Sequence, residues 1–145
     1  MKDSSSFLVC DIAQKGEKTM MELTINGKVY QFKFGLGFLR DANKMKTQKM
    51  PNGLEQETGG RLLIAGIMDG DILALEDALN LANKTEKPRI TEKELEDYLE
   101  DSETDIDALF EETMYFLKNS NATKKTVASI EQAMEEAMKE AQKEE

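Results

Sequence analysis

Two stretches of the sequence carry residue types at spacings that could do chemistry. The first, Gly35 to Arg40, follows a predicted strand and opens a predicted helix, as the glycine-rich loop of a dinucleotide-binding domain does. That loop needs a third glycine where this chain has Arg40, and a second parallel strand that the sequence does not predict. We therefore interpret Gly35 and Gly37 as residues that let the strand turn closely into the helix.

The second stretch is a series of carboxylates with the spacing of a calcium-binding loop. Such a loop needs a glycine at its sixth position for a sharp turn, and Ile106 stands there. The alternative, which we favour, is an acidic helix start, where aspartates cap backbone N–H groups and complement the helix dipole. The carboxylates at positions 1, 3, 5, 7 and 12 of the frame are Asp101, Glu103, Asp105, Asp107 and Glu112.

The side chains on which most enzymes depend are scarce. There is no histidine, so the commonest general base and the commonest transition-metal ligand are both missing. Cys10 is the one cysteine, which nearly excludes zinc, forbids an internal disulfide and fits a reducing compartment. No serine lies in a nucleophile-elbow frame and no glycine-lysine pair marks a phosphate loop. We predict no catalytic residue, no cofactor and no metal site, and a protein that is not an enzyme.

The charge balance limits the partners. With 19 basic and 29 acidic residues the net charge is −10, whereas nucleic acid binding needs a basic stripe. The only lysine-rich stretch, from Lys44 to Lys49, is short, so we predict no contact with DNA or RNA. No apolar run approaches the ~20 residues that cross a bilayer, and we predict no membrane contact. The 145 residues are enough for one domain.

The sequence from Met21 to Met45 predicts a β-hairpin that runs straight into a helix. Asn26-Gly27 is a type I′ turn signal, because both central residues of that turn need positive φ. Folding at this turn places the apolar residues on one face of the ribbon, which downstream helices must cover. The predicted pairs are Ile25–Lys28, Leu23–Tyr30 and Met21–Phe32, and the apolar face consists of Met21, Leu23, Ile25, Tyr30, Phe32 and Phe34.

The rest of the sequence predicts helices separated by short breaks, of which Pro51–Gly53 and Lys87–Arg89 are the clearest. Thr91 through Leu117 is expected to pack as a helical pair. The fold class is therefore α+β, mostly α: an N-terminal hairpin, about five or six helices and a long C-terminal helix. The predicted helices run to about Met45, from about Gly60 to Met68, over 72–83, from the capping box Thr91–Glu94 to about Leu99, over about 105–117, and over 122–143.

The chain divides by composition into three parts. Residues 1–19 have a serine run and no sustained periodicity, and Lys15-Gly16-Glu17 can be encoded by a purine-rich stretch of the ribosome-binding type. We expect translation to begin at Met20 or Met21, which makes 1–19 an upstream extension or disordered leader; an ordinary N-terminal tail is the alternative. Residues 20–121 are predicted to form the hairpin-plus-helical domain, and 122–145 a charged amphipathic C-terminal helix.

The C-terminal helix carries a narrow apolar stripe on an otherwise charged surface. Methionine is adaptable and is over-used on surfaces that bind other chains, although for any single methionine core filling is the simpler interpretation. The stripe is typical of a helix that lies in a groove, either its own or a partner's. We also expect the hairpin's free edges to mediate self-association. The predicted partner-binding residues are Val127, Ile130, Met134 and Met138.

In their order and spacing, these features resemble the tail assembly chaperones of long-tailed, siphovirus-type phages and prophages of Gram-positive bacteria. The resemblance covers most of the chain from Met21 to about Val127. It is carried by MELTINGKVYQFKFGLGFLRDANK, by KPRITEKELEDYLED followed by DIDALFEETMYFLKNSN, and by NATKKTV ahead of a charged helical tail.

The resemblance implies a non-enzymatic assembly factor. Such proteins bind the tape measure protein, a long and largely apolar helical chain, and keep it soluble while tail tube subunits polymerise. The implied partners are the tape measure protein, the major tail tube protein and further copies of the chain in a homo-oligomer. The implied location is the host cytoplasm and not the mature virion. An acidic DNA mimic or host-protein inhibitor from a phage is the alternative: the net charge favours it, and the interspersed lysines count against it.

Overall fold

The computed structural model describes residues 20–143, so the expectations for 1–19 lie outside the described residues. Within that range the fold is α+β and mostly α, as predicted from the sequence. It consists of an N-terminal hairpin, a second small hairpin and six helices, the last of which is the longest.

The first hairpin has the register that the sequence predicts. Strands β1 (Met20–Ile25) and β2 (Lys28–Lys33) pair antiparallel around Asn26 and Gly27, whose φ angles are 53° and 79°. The pairs are Ile25–Lys28, Leu23–Tyr30 and Met21–Phe32. The six residues of the predicted apolar face, including Phe34 just beyond β2, are each at most 9% exposed. This face forms one side of the hydrophobic core.

The next three elements follow the hairpin directly. Helix α1 (Leu36–Lys44) leads into a second antiparallel hairpin of β3 (Thr47–Lys49) and β4 (Glu55–Glu57). The sequence did not predict these two strands, because they are three residues long, entirely polar and exposed, and so show no alternation. The Pro51–Gly53 loop signal falls in the turn that joins them.

The interpretation of Gly35 and Gly37 as residues required for a close turn is wrong for Gly37. Neither glycine has a positive φ, and a Cβ added to Gly37 would meet no atom within 4 Å. A close approach occurs instead at Gly59 and Gly60, which open α2 (Gly59–Met68). A Cβ on Gly59 would overlap the carbonyl oxygen of Ala42, so these glycines let α2 pack directly on the end of α1.

Helix α3 (Ile72–Asn83) is the centre of the fold, packing on β2, α1, α2 and α4. It starts at Asp71, whose Oδ1 accepts a hydrogen bond from the Leu73 N–H at 3.0 Å and so caps the helix. The side chains on its inward face are buried in the core. The buried residues are Ala74, Leu75, Ala78, Leu79, Ala82 and Asn83.

Helices α4 (Glu92–Glu100) and α5 (Ile106–Asn119) both begin at the caps that the sequence indicates. The Thr91–Glu94 capping box is formed, and Asp105 Oδ1 accepts a hydrogen bond from the Ala108 N–H at 3.1 Å. The prediction that the two helices of Thr91–Leu117 pack against each other as a pair is wrong. Helix α4 packs mainly on α3, whereas α5 packs mainly on α6, α2 and β1.

Among the described residues, helix α6 (Lys124–Lys143) buries side chains against the body only in its first half. Thr123, just before it, is buried and donates its hydroxyl hydrogen bond to the Leu117 carbonyl oxygen at 2.6 Å. The first half packs on α5 and α2, and Arg61 Nη1 donates to Ser129 Oγ at 3.0 Å. Every residue of 131–143 is exposed.

Candidate partner-binding surfaces

The four residues of the predicted C-terminal stripe occupy two different environments. Val127 and Ile130 are 2% and 6% exposed and hold α6 against the body. Met134 and Met138 continue the same helix face but are 49% and 64% exposed. Binding through the stripe remains a prediction, and the structure restricts its accessible part to Met134 and Met138, which we call the exposed α6 stripe.

One edge of the first hairpin, that of β2, is contacted by α3. The Gln31 carbonyl oxygen of β2 accepts a hydrogen bond from Asn83 Nδ2 at 2.9 Å, and α3 packs along this strand. The β2 edge is therefore partly occupied by the chain itself. Self-association through the hairpin edges remains a prediction, and the contact with Asn83 restricts it at the β2 edge. Asn26 and Gly27, at the tip, are exposed and serve the turn.

An apolar groove lies between the end of α2 and one face of α5. Its volume is about 790 Å³, and we call it the α2–α5 groove. By their spacing Ile106, Phe110 and Met114 belong to the apolar arc of α5, but all three are only partly buried and face this groove. The lining consists of Ile67, Met68 and Gly70 on the α2 side and Ile106, Asp107, Phe110, Glu111, Met114, Tyr115 and Lys118 on α5.

Sequence reasoning missed the groove because α5 carries more apolar residues than a single face can bury. The face that does enter the core comprises Leu109, Thr113, Phe116 and Leu117. The excess of apolar positions was the available signal: a helix whose apolar arc is wider than the roughly 100° of an ordinary surface helix needs a second contact.

The charges around the groove are unbalanced. Asp107 and Glu111 are exposed on its rim, and neither forms an ion pair within residues 20–143. The lining lysine, Lys118, is engaged by Glu131, with Nζ and Oε2 3.5 Å apart. The rim is therefore acidic. Through this ion pair the start of the exposed half of α6, at Glu131, lies beside the Lys118 end of the groove.

A crowded carboxylate face lies on α3 and α4. Burial, followed by the charges of Glu96 and Asp77, raises the pKa of Glu76 above its ordinary value. Burial, and to a smaller extent the negative charges of Asp71 and Glu92, also raises the pKa of Asp77 above its ordinary value. A surface where carboxylates already repel one another is unfavourable for a polyanion.

Two carboxylates of the calcium-like frame, Asp101 and Asp105, accept hydrogen bonds from backbone N–H groups. Asp101 Oδ1 accepts a hydrogen bond from the Glu103 N–H at 2.9 Å, and Asp105 caps α5. Between residues 20 and 143 there is no cluster of three or more histidine, cysteine or acidic side chains that could hold a metal ion. In the same range no helix has both the length and the apolarity to span a membrane. The described surfaces that could bind a partner, the α2–α5 groove and the exposed α6 stripe, are apolar and bordered by charged residues.

Residues 22–132 match the family model described as phage tail assembly chaperone protein. No curated protein and no solved structure gave a match. The matched range extends from β1 to the first half of α6. It contains the whole α2–α5 groove and ends where the exposed half of α6 begins.

Proposed function

Because the chain belongs to the phage tail assembly chaperone family, we propose that it binds the tape measure protein and keeps it soluble while tail tube subunits polymerise. The observation that carries this proposal is the family match across the folded body, from residue 22 to 132. The sequence resemblance supports the finer statement that the phage is long-tailed, of the siphovirus type, with a Gram-positive host.

The surface chemistry supports this role. A long helical partner with apolar stripes aggregates unless the stripes are covered, and the α2–α5 groove and exposed α6 stripe offer apolar cover. The net charge of −10 would keep a coated partner dispersed by mutual repulsion. Many copies along one partner gain avidity, so no single site has to bind tightly.

The remaining parts of the proposal follow from the role. The protein performs no catalysis, works in the host cytoplasm and is released before the virion is complete. Copies of the chain associate with one another along the tape measure protein, and they make contact with the major tail tube protein as it polymerises.

The acidic DNA mimic is less well supported than the chaperone role. The acidic residues of this chain are interleaved with lysines. Some of the lysines form ion pairs with them, such as Lys93–Asp97 at 3.4 Å and Lys84–Asp41 at 3.6 Å. An apolar groove also has no counterpart on DNA, whose exposed surface is a charged backbone.

Co-expression with the tape measure protein of the same phage tests the proposal. We expect the soluble fraction of the tape measure protein to rise when the chain is present, and the two proteins to co-purify. A tape measure protein that stays insoluble at every expression ratio, or that is soluble but never bound, would refute the proposed function.

The exposed α6 stripe can be tested with two variants on opposite faces of one helix. Met134→Glu plus Met138→Glu should weaken tape measure binding by about 3 kcal/mol, because each fully buried methionine contributes about 1.5 kcal/mol or more. Gln132→Glu plus Lys139→Gln changes the net charge by the same amount on the opposite face and should leave binding intact. The measurement is titration calorimetry with a soluble tape measure fragment; equal losses in both variants would exclude the stripe.

A further inference from the structure

We infer that the α2–α5 groove is the docking site for one amphipathic helix of a partner protein, with lysines or arginines flanking its apolar stripe. This inference deepens the proposed function and depends on it, since it specifies which surface meets the tape measure protein and which of that protein's segments fit.

The length and lining of the groove suit a helix. On the α5 side the groove runs from Ile106 to Lys118, a rise of about 18 Å at 1.5 Å per residue, which accommodates roughly three helical turns. Its partly buried side chains Ile106, Phe110 and Met114 recur every four residues, so they present a ridge to residues at positions i, i+4 and i+7 of a facing helix.

The backbone chemistry excludes an extended peptide. The groove lies between two helices, whose main-chain groups bond within each helix, and it includes no strand edge. An extended occupant would bury N–H and C=O groups without partners, at a cost of about 1–3 kcal/mol each. A helix satisfies these groups internally and brings only side chains into the groove.

The charges of the lining select a basic occupant. Asp107 and Glu111 are one helical turn apart on the exposed rim of α5, where cationic groups beside an apolar stripe would meet them. Lys118 is already paired with Glu131, so it does little to offset these carboxylates. The overall charge of −10 attracts the same cationic partner from a distance.

The exposed α6 stripe of a second copy is a poor occupant by the same criterion. At about 100° per residue, Glu131 and Glu135 border Met134 and Met138 on one side, and Glu140 lies towards the other side. The lysines of this half, Lys139 and Lys143, lie on the opposite face. Docking it would place carboxylates against Asp107 and Glu111, which costs free energy.

Reversing the charge of the rim tests the inference in the full chain. The variant is Asp107→Lys plus Glu111→Lys, with Asp107→Asn plus Glu111→Gln as a milder form. The matched control is Glu96→Lys plus Glu100→Lys, which makes the same charge change at two exposed positions one turn apart on α4. Thermal unfolding establishes that each variant is folded before binding is measured.

The probes are two synthetic helical peptides of about 15 residues, with leucine at i, i+4 and i+7 and either lysine or glutamate beside the leucines. By fluorescence anisotropy we expect the unmodified chain to bind the lysine peptide about tenfold or more tightly than the glutamate peptide. The Lys variant should reverse this preference, the Asn/Gln variant should abolish it, and the α4 control should retain it.

Three results would overturn the inference: equal binding of both peptides by the unmodified chain, a reversal in the α4 control, or tighter binding of a peptide of residues 131–143 than of the lysine peptide. The last result would make a second copy the occupant. If the tape measure protein binds the Lys variant as tightly as it binds the unmodified chain, the groove is not its docking site and the proposed function stands. If the peptides behave as expected but the tape measure protein is never bound, the proposed function falls and the preference of the groove remains.

Discussion

At the scale of single residues, the buried amide of Asn83 joins three parts of the chain. Its Nδ2 donates to the carbonyl oxygens of Gln31 at 2.9 Å and Pro88 at 3.2 Å. Its Oδ1 accepts from the Ile90 N–H at 2.7 Å and from Arg89 Nη1 at 2.9 Å. The end of α3, the 84–91 connection and β2 are therefore held together by one side chain that is 0% exposed.

Asn83→Ala should lower the free energy of unfolding by about 3 kcal/mol, because it leaves a buried carbonyl and a buried N–H without partners at about 1–3 kcal/mol each. Asn80→Ala is the matched control: its partly exposed Oδ1 accepts one bond from Arg89 Nη2, and the expected loss is below about 1 kcal/mol. Urea denaturation of both variants measures the difference. Similar losses would show that the Asn83 network is not a main support of the fold.

A second residue-scale contact links the first hairpin to α4. Tyr30 donates its hydroxyl hydrogen bond to Glu94 Oε2 at 3.1 Å, while Glu94 Oε1 accepts from the Thr91 N–H and hydroxyl at 3.0 Å each. Hydrogen bonds from the Thr91 backbone, from its side chain and then from Tyr30 favour the carboxylate. They hold the pKa of Glu94 below its ordinary value.

The lowered pKa of Glu94 predicts a pH dependence of stability. The contribution is fully present above the unfolded-state value of about 4.3 and is lost as the pH falls through the lower folded-state pKa. Glu94→Gln should therefore be less stable than the unmodified chain at neutral pH, and this difference should shrink on acidification. Unfolding temperatures between pH 7 and pH 2.5 measure it, with Glu92→Gln in the same helical turn as the control. A difference that stays constant with pH would contradict the assignment.

At the scale of elements, the junction of α1 and α2 depends on the absence of a side chain at Gly59. Gly59→Ala should destabilise the fold by about 2 kcal/mol or more, because the new Cβ meets the Ala42 carbonyl oxygen, which belongs to a rigid helix. Gly37→Ala in α1 has open space and should be neutral or stabilising by up to about 1 kcal/mol. Thermal unfolding distinguishes them, and equal stability of the two variants would mean that the helices can separate without cost.

The sequence predicted those elements whose turn or capping residues lie within a few positions of one another, and it did not predict contacts between distant parts of the chain. The register of β1 and β2 follows from Asn26-Gly27 and the alternation around it, and the starts of α3, α4 and α5 follow from capping residues within one turn. The periodicity of α6 predicted its apolar stripe. It could not predict that the stripe is buried up to Ile130 and exposed beyond it, because burial depends on which other helices pack against α6. The groove arises between residues about 40 positions apart, Ile67 and Ile106, and no local pattern encodes that contact.

At the scale of the whole molecule, the same negative charge acts on self-association and on partner binding with opposite signs. Copies of a chain with charge −10 repel one another, whereas a cationic helix is attracted. Both effects are carried by exposed groups and are therefore screened by salt. The acidic rim of the α2–α5 groove makes the attraction local as well as general.

Raising the salt concentration from about 0.05 M to about 0.5 M should strengthen self-association and weaken tape measure binding, because the Debye length shortens from roughly 14 Å to roughly 4 Å. Sedimentation velocity of the chain alone measures the first effect. Titration with a tape measure fragment measures the second. Changes in the same direction would show that charge does not govern both equilibria.

The change in burial after Ile130 also bears on how this chain can diverge. Residues 131–143 contribute no buried side chain, so the packing of the fold places no constraint on their identity. Mutations can accumulate there at little thermodynamic cost, while the body, with its Asn83 network and its glycine junction, tolerates few. Substitutions in 131–143 can therefore change the exposed surface of α6 while the packing of the body stays the same.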